Sequence, residues 1–150
     1  MTLTQKETSL LKDLKGQEEL CIGKYGRYAA EAKSEELRCL FGELKATEES
    51  HLKTITEMMS GTVPKTPDTL SANNCNCCAT TYRSEDDRKA DAFLCQDMLS
   101  AEKHVSSSYN TTVFEFSDPA ARKMLSHIQA EEQQHGEKIY AYMSANGMYS

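Results

Sequence analysis

Apolar side chains recur at alternating three- and four-residue steps through four long stretches, the spacing that keeps them on one face of a helix. Thr4 followed by Glu7 forms a capping-box start, and the pattern runs without proline to Ala32, predicting a first helix about 42 Å long. Ser34 caps a second helix over 35–60, stopped by Gly61 with Pro64 and Pro67 beyond. Residues 61–83 hold both prolines, asparagines and a cysteine cluster, and read as a long connection without regular structure. Ser84 and Asp87 open a third helix over 85–116, and Asp118 with Pro119 opens a fourth that ends near Gly147. The expected fold is all-α: one domain over 1–150, with a helical hairpin at 4–60, a crossover at 61–83 and a second hairpin at 84–147. Two hairpins joined by one long crossover are a known topology of four-helix bundles.

The two hairpins also resemble each other. Sliding residues 10–61 onto 94–145, an offset of 84 without gaps, pairs Leu10 with Leu94, Asp13 with Asp97, Glu18 with Glu102 and Tyr25 with Tyr109. The same offset pairs Glu48 with Glu132, His51 with His135, Ile55 with Ile139 and Met59 with Met143. The chain reads as an internal duplication of one hairpin.

Polar residues interrupt the apolar stripes at matching places. The second helix reads Leu37, Phe41, Leu44, Glu48, His51, Ile55, Met58, and the fourth reads Ala121, Leu125, Ile128, Glu132, His135, Ile139, Tyr142. The first gives Leu10, Leu14, Glu18, Cys21, Tyr25, and the third gives Leu94, Met98, Glu102, Val105, Tyr109. Four carboxylates and two imidazoles therefore face one core, where an unpaired charge costs on the order of several kcal/mol. No Lys or Arg stands near them in the stripes. Two divalent cations are the simplest counter-charge, since four carboxylates against two dications sum to zero. One Glu-x-x-His on a helix usually marks a solvated face, but two of them at the offset that also relates two stripe glutamates are hard to reach by chance. The alternative is a degenerate bundle in which water and hydrogen bonds satisfy the same groups. Glu18, Glu48, His51, Glu102, Glu132 and His135 are the candidate ligands, and this donor set suits iron or manganese while also accepting zinc. Glu19, Glu49 and Glu131 fall off the stripe, in solvated positions or in support of the ligands. Tyr25 and Tyr109, two turns beyond Glu18 and Glu102, are expected to pack in the core with each hydroxyl on a buried carboxylate.

Composition narrows the function classes. Seven Gly, three Pro and no Trp among 150 residues fit helices better than many short strands. The formal charge of −6, without a basic cluster, disfavours nucleic acid as a partner. No stretch nears the ~20 apolar residues of a membrane span, and the charged residues of 1–30 do not read as a secretory signal, so a soluble chain made in the cytoplasm is expected. Cys21, Cys39 and Cys95 read as small core residues or inert thiols. Cys75, Cys77 and Cys78 include one C-x-x-C, but no second pair completes a four-thiolate site, which leaves an intermolecular site, a redox pair, crosslinking thiols or a plain loop.

With these residues in view, the chain resembles the spore coat protein F family of the ferritin-like group. The resemblance runs through LKDLKGQEELCIGKYGRYAAEAKSEELRCLFGEL with EESH, through DMLSAEKHVSSSYNTTVFE, and most specifically through HIQAEEQQHGEKIYAYMSANGMY. It implies a ferritin-like bundle, association with the spore coat, and coat proteins or a second copy of the chain as partners. The Glu and Glu-x-x-His repeat is also similar to that of rubrerythrin-like proteins, in which the residues matching the six candidates hold a di-iron pair. This chain lacks their four-cysteine electron-transfer module. A di-iron oxidoreductase acting on oxygen or peroxide, and a metal-sequestering protein, are the alternatives to a coat component.

Overall fold

The computed structural model describes residues 1–70 and 79–149, and its regular elements are four helices. They are α1 Gln5–Glu31, α2 Glu35–Met59, α3 Glu85–Glu115 and α4 Pro119–Ala145. Each begins on the side chain expected of it. Thr4 accepts from the Glu7 amide while Glu7 returns a bond to the Thr4 amide. Ser34, Ser84 and Asp118 cap the amides of Leu37, Asp87 and Ala120. Gly61 and Gly147 end α2 and α4 with φ of 93° and 65°, and the carbonyls of Glu57 and Met143 are met by the amides of Thr62 and Met148. That left-handed turn closes both helices without steric cost because glycine lacks a Cβ.

The bonds between helices give their directions. Lys6 reaches Glu115, Tyr109 reaches Glu18, Tyr25 reaches Glu102 and the Lys33 amide reaches Asp91, so residue numbers rise along α1 as they fall along α3. Ser34 with Tyr142 and His51 with Glu132 set α2 antiparallel to α4. The Met1 amine lies 3.2 Å from the Gly61 carbonyl at one end, whereas Thr80 and Tyr82 meet Tyr142 at the other. The crossover therefore traverses the bundle, a distance of about 37 Å for the 25 residues of α2. The result is an all-α four-helix bundle running up, down, down, up.

Two apolar clusters fill it. One gathers Tyr25, Phe41, Leu94, Met98, Ile139 and Tyr142, and the other Leu11, Leu14, Ile55, Met58, Tyr109, Leu125 and Ile128. The stripes predicted for α2, α3 and α4 are buried throughout. In α1 the expectation needs one correction: Leu10 is only half-buried and Leu11 takes the core position, because the stripe steps by three from Leu11 to Leu14. Cys21 and Cys95 are buried as expected, with burial pushing the Cys95 thiol up to about 12, while Cys39 is exposed and has no core role. Cys75, Cys77 and Cys78 lie outside the described residues.

A polar knot closes the end where the crossover arrives. Asp91, fully buried, accepts from the amides of Lys33 and Ser34 at 2.7 and 3.0 Å and from the Tyr82 hydroxyl at 2.8 Å. It thereby joins the α1–α2 link, the crossover and α3 in one contact. Asp91→Ala leaves the buried Ser34 amide, the part-buried Lys33 amide and the Tyr82 hydroxyl without this acceptor, and should cost about 3 kcal/mol in urea unfolding at unchanged m-value.

Candidate metal centre

Between the two apolar clusters the helices bring all six predicted residues together, each no more than 3% exposed. Ligand atoms of Glu18, Glu48, His51 and Glu132 lie within 4.8 Å of one another, as do those of Glu48, Glu102, Glu132 and His135. Glu48 and Glu132 belong to both groups. Glu48 Oε1 is 2.8 Å from His135 Nδ1 and its Oε2 is 3.2 Å from His51 Nδ1, so each oxygen faces a different histidine. Glu132 repeats the arrangement, with Oε1 2.6 Å from His51 Nδ1 and Oε2 3.8 Å from His135 Nδ1. The two imidazoles stack with centroids 5.9 Å apart. The geometry is that of two adjacent donor sets sharing a pair of carboxylates.

The tyrosines hold the outer glutamates from across the duplication. Tyr25 donates to Glu102 Oε1 at 2.5 Å and Tyr109 donates to Glu18 Oε1 at 2.6 Å. Each tyrosine therefore serves the glutamate of the other hairpin. That use of one oxygen leaves the second: Glu18 Oε2, Glu102 Oε2 and both oxygens of Glu132 are buried without a hydrogen-bond partner. The 2.6 Å approach of Glu132 to His51 is thus a close contact without hydrogen-bond alignment. Buried carboxylate oxygens of this kind are costly unless a cation or a proton meets them.

Without a cation, protons take that place. Burial, together with the carboxylate of Glu48 beside it, pushes Glu18 up to about 10, and burial with the adjacent Glu102 pushes Glu132 well above the carboxylate range. Burial also works against the charge on Glu48, but the neighbouring Glu18, His135 and His51 outweigh it and hold this carboxyl below its ordinary range. For the imidazoles burial disfavours the charged form, yet the surrounding carboxylates prevail and raise His51 to about 10 and His135 to about 9. Glu18, Glu132, His51 and His135 therefore carry protons at neutral pH, and metal binding there releases protons.

Glu131, expected in a solvated position or in support of the ligands, takes the supporting role, while His127 was not anticipated. Glu131 Oε1 lies 3.3 Å from His51 Nε2 and 3.2 Å from His127 Nε2, so it orients the ring whose Nδ1 faces the centre. The signal available in sequence was the four-residue step from His127 to Glu131. The duplication hid it, since the equivalent positions in the first hairpin are Glu43 and Thr47. His135 accordingly lacks this support. Glu19 and Glu49 are exposed, as expected.

Comparison with known proteins adds one finding. Residues 90–150 match the Coat F domain. The match spans 61 of the 150 residues. The matched segment starts beside Asp91 and takes in Glu102, Glu132, His135 and Tyr109, so half of the candidate centre lies within it. No curated protein and no solved structure matches the chain. Among the described residues, no helix is long and apolar enough to cross a membrane.

The protonation pattern predicts how the metal-free protein responds to pH. Glu18, His51 and His135 all have folded values above their unfolded ones, so each stabilises the fold fully below its unfolded value and stops doing so as pH rises through its folded value. The opposite contribution of Glu48 is already complete above the ordinary carboxylate range. The melting temperature of metal-free protein should therefore fall steadily between pH 6.5 and 10, as differential scanning calorimetry in a chelator will show.

Proposed function

We propose that the chain is a spore coat component whose bundle holds two divalent metal ions, iron or manganese in the first instance with zinc also accommodated. The observation that carries the metal reading is the set of buried, unpartnered oxygens on Glu18, Glu102 and Glu132 within two donor groups. In this reading Glu18 and His51 would hold one ion and Glu102 and His135 the other, with Glu48 and Glu132 available to both. The ions balance the four carboxylates and take over the work that protons do in their absence. Tyr25 and Tyr109 hold Glu102 and Glu18 at fixed angles, and Glu131 fixes the tautomer of His51 so that its Nδ1 lone pair faces the metal. Bound iron would supply one-electron redox chemistry, which a coat role does not require.

The coat reading rests on the Coat F domain over residues 90–150. Coat proteins or a second copy of the chain are the partners it needs, and the bundle serves there as a metal-stabilised building block.

Elemental analysis of the purified protein should find about two metals per chain, and Glu48→Ala or His135→Ala should each bring this well below two; two retained by both variants would refute the ligand assignment. Chelation should lower the melting temperature by about 10 °C or more, because binding to the folded state alone adds directly to its stability. A fluorescent fusion should collect at the spore surface, whereas uniform fluorescence through the cell would overturn the coat role. Rapid multi-turnover peroxide reduction by the pure iron-loaded protein would move the reading to a di-iron oxidoreductase.

A further inference from the structure

The duplication makes the two broad faces of the bundle comparable position by position, and they differ where they approach the centre. On the α3–α4 face a groove of about 360 Å³ is lined by Leu99, Lys103, Ser106, Gln133 and Gly136, and reaches Glu102 and Glu132. At the offset of 84, the corresponding positions on the α1–α2 face are Lys15, Glu19, Ile22, Glu49 and Leu52. Gly136 therefore stands where the other face has Leu52, and Ser106 where it has Ile22. Two large apolar side chains are thus replaced by Ser106 and Gly136 on this face, while Leu99 in place of Lys15 packs toward Gly136. The charge at the rim changes as well: Lys15, Glu19 and Glu49 leave one face with a net charge of −1, Glu19 lying 3.9 Å from Lys15, whereas Lys103 and Gln133, both exposed, leave the other with +1.

The geometry points to the α3–α4 groove as a port through which a small neutral or singly negative ligand reaches the metal pair. Size follows from the missing side chains, which leave room for a few atoms above Glu102 and Glu132. Charge follows from the rim, where Lys103 favours an anion over a cation. The inference rests on the metal reading above.

A Cβ on Gly136 would meet only Leu99 Cδ1, at 3.7 Å, an ordinary contact, and the first hairpin already accommodates Leu52 at this position. Closing the port is therefore compatible with the fold. The test uses the full chain loaded with cobalt(II), its metal content and melting temperature measured first, and azide as the probe, followed by the cobalt absorption bands in stopped flow. Gly136→Leu should slow azide association by about tenfold or more at unchanged metal content, while Gly136→Ala leaves it little changed. Lys103→Glu, at an exposed position, should slow it about threefold at low ionic strength, with the difference vanishing in concentrated salt. Azide that binds Gly136→Leu at the unmodified rate, or Lys103→Glu as fast as the parent at low salt, overturns the port. A chain that takes up no cobalt overturns the metal reading and the port with it, and the prior metal analysis distinguishes that failure from the others.

Discussion

Glu48 and Glu132 meet at the middle of the bundle with Glu18 and Glu102 on either side, in a place where a carboxylate can be kept only with a counter-charge or a proton. Much of the surrounding architecture answers to that constraint. Apolar packing is split into two clusters because the layer between them is polar. The histidines sit one turn from Glu48 and Glu132, close enough to share their charge, and the tyrosines sit two turns from Glu18 and Glu102, so that their hydroxyls reach across to the opposite hairpin. A bundle with leucine at these four positions would pack more simply and be easier to stabilise. The retention of the polar layer at the heart of the fold is what separates a binding centre from a plain scaffold.

The ends of the bundle obey a different requirement, that of tying down a connection which runs its full length. Asp91 does this at the far end by accepting from the α1–α2 link and from Tyr82, and Tyr142 extends the contact to Ser34 and Thr80. At the near end the chain terminus meets Gly61, where a Cβ would come within 2.8 Å of the Met1 carbonyl oxygen. Entry and exit of the crossover are thus held by polar contacts, while the helices are held by packing.

Helix limits were legible in the sequence because each start carries a side-chain cap and two of the ends carry glycine, signals that act locally and owe nothing to tertiary context. The stripes were legible because periodicity reports burial directly. Leu10 was misplaced because Leu10 and Leu11 are adjacent and either continues the pattern; the choice is made by the angle at which α1 meets its neighbours. The six centre residues were legible through repetition, each half vouching for the other. What repetition could not reveal was whatever the halves do not share. Glu131 and His127 have no counterparts of the same kind, and Asp91, at the offset position of Glu7, serves a link that exists only between α1 and α2. Distances between ligand atoms, and the direction in which each tyrosine reaches, depend on how the hairpins dock and had no sequence signature.

The crossed bonds between hairpins bear on ancestry. A single hairpin could not have satisfied its own glutamate, because the tyrosine that meets Glu18 belongs to the second hairpin and the one that meets Glu102 belongs to the first. Such a unit becomes self-consistent only as a symmetric pair, and in a symmetric pair any change to one face is imposed on both. Within one polypeptide that obligation does not hold. Gly136 stands where the first hairpin has Leu52, and Glu131 where it has Thr47, so the two faces of the bundle need not offer the same surface nor give their histidines the same support.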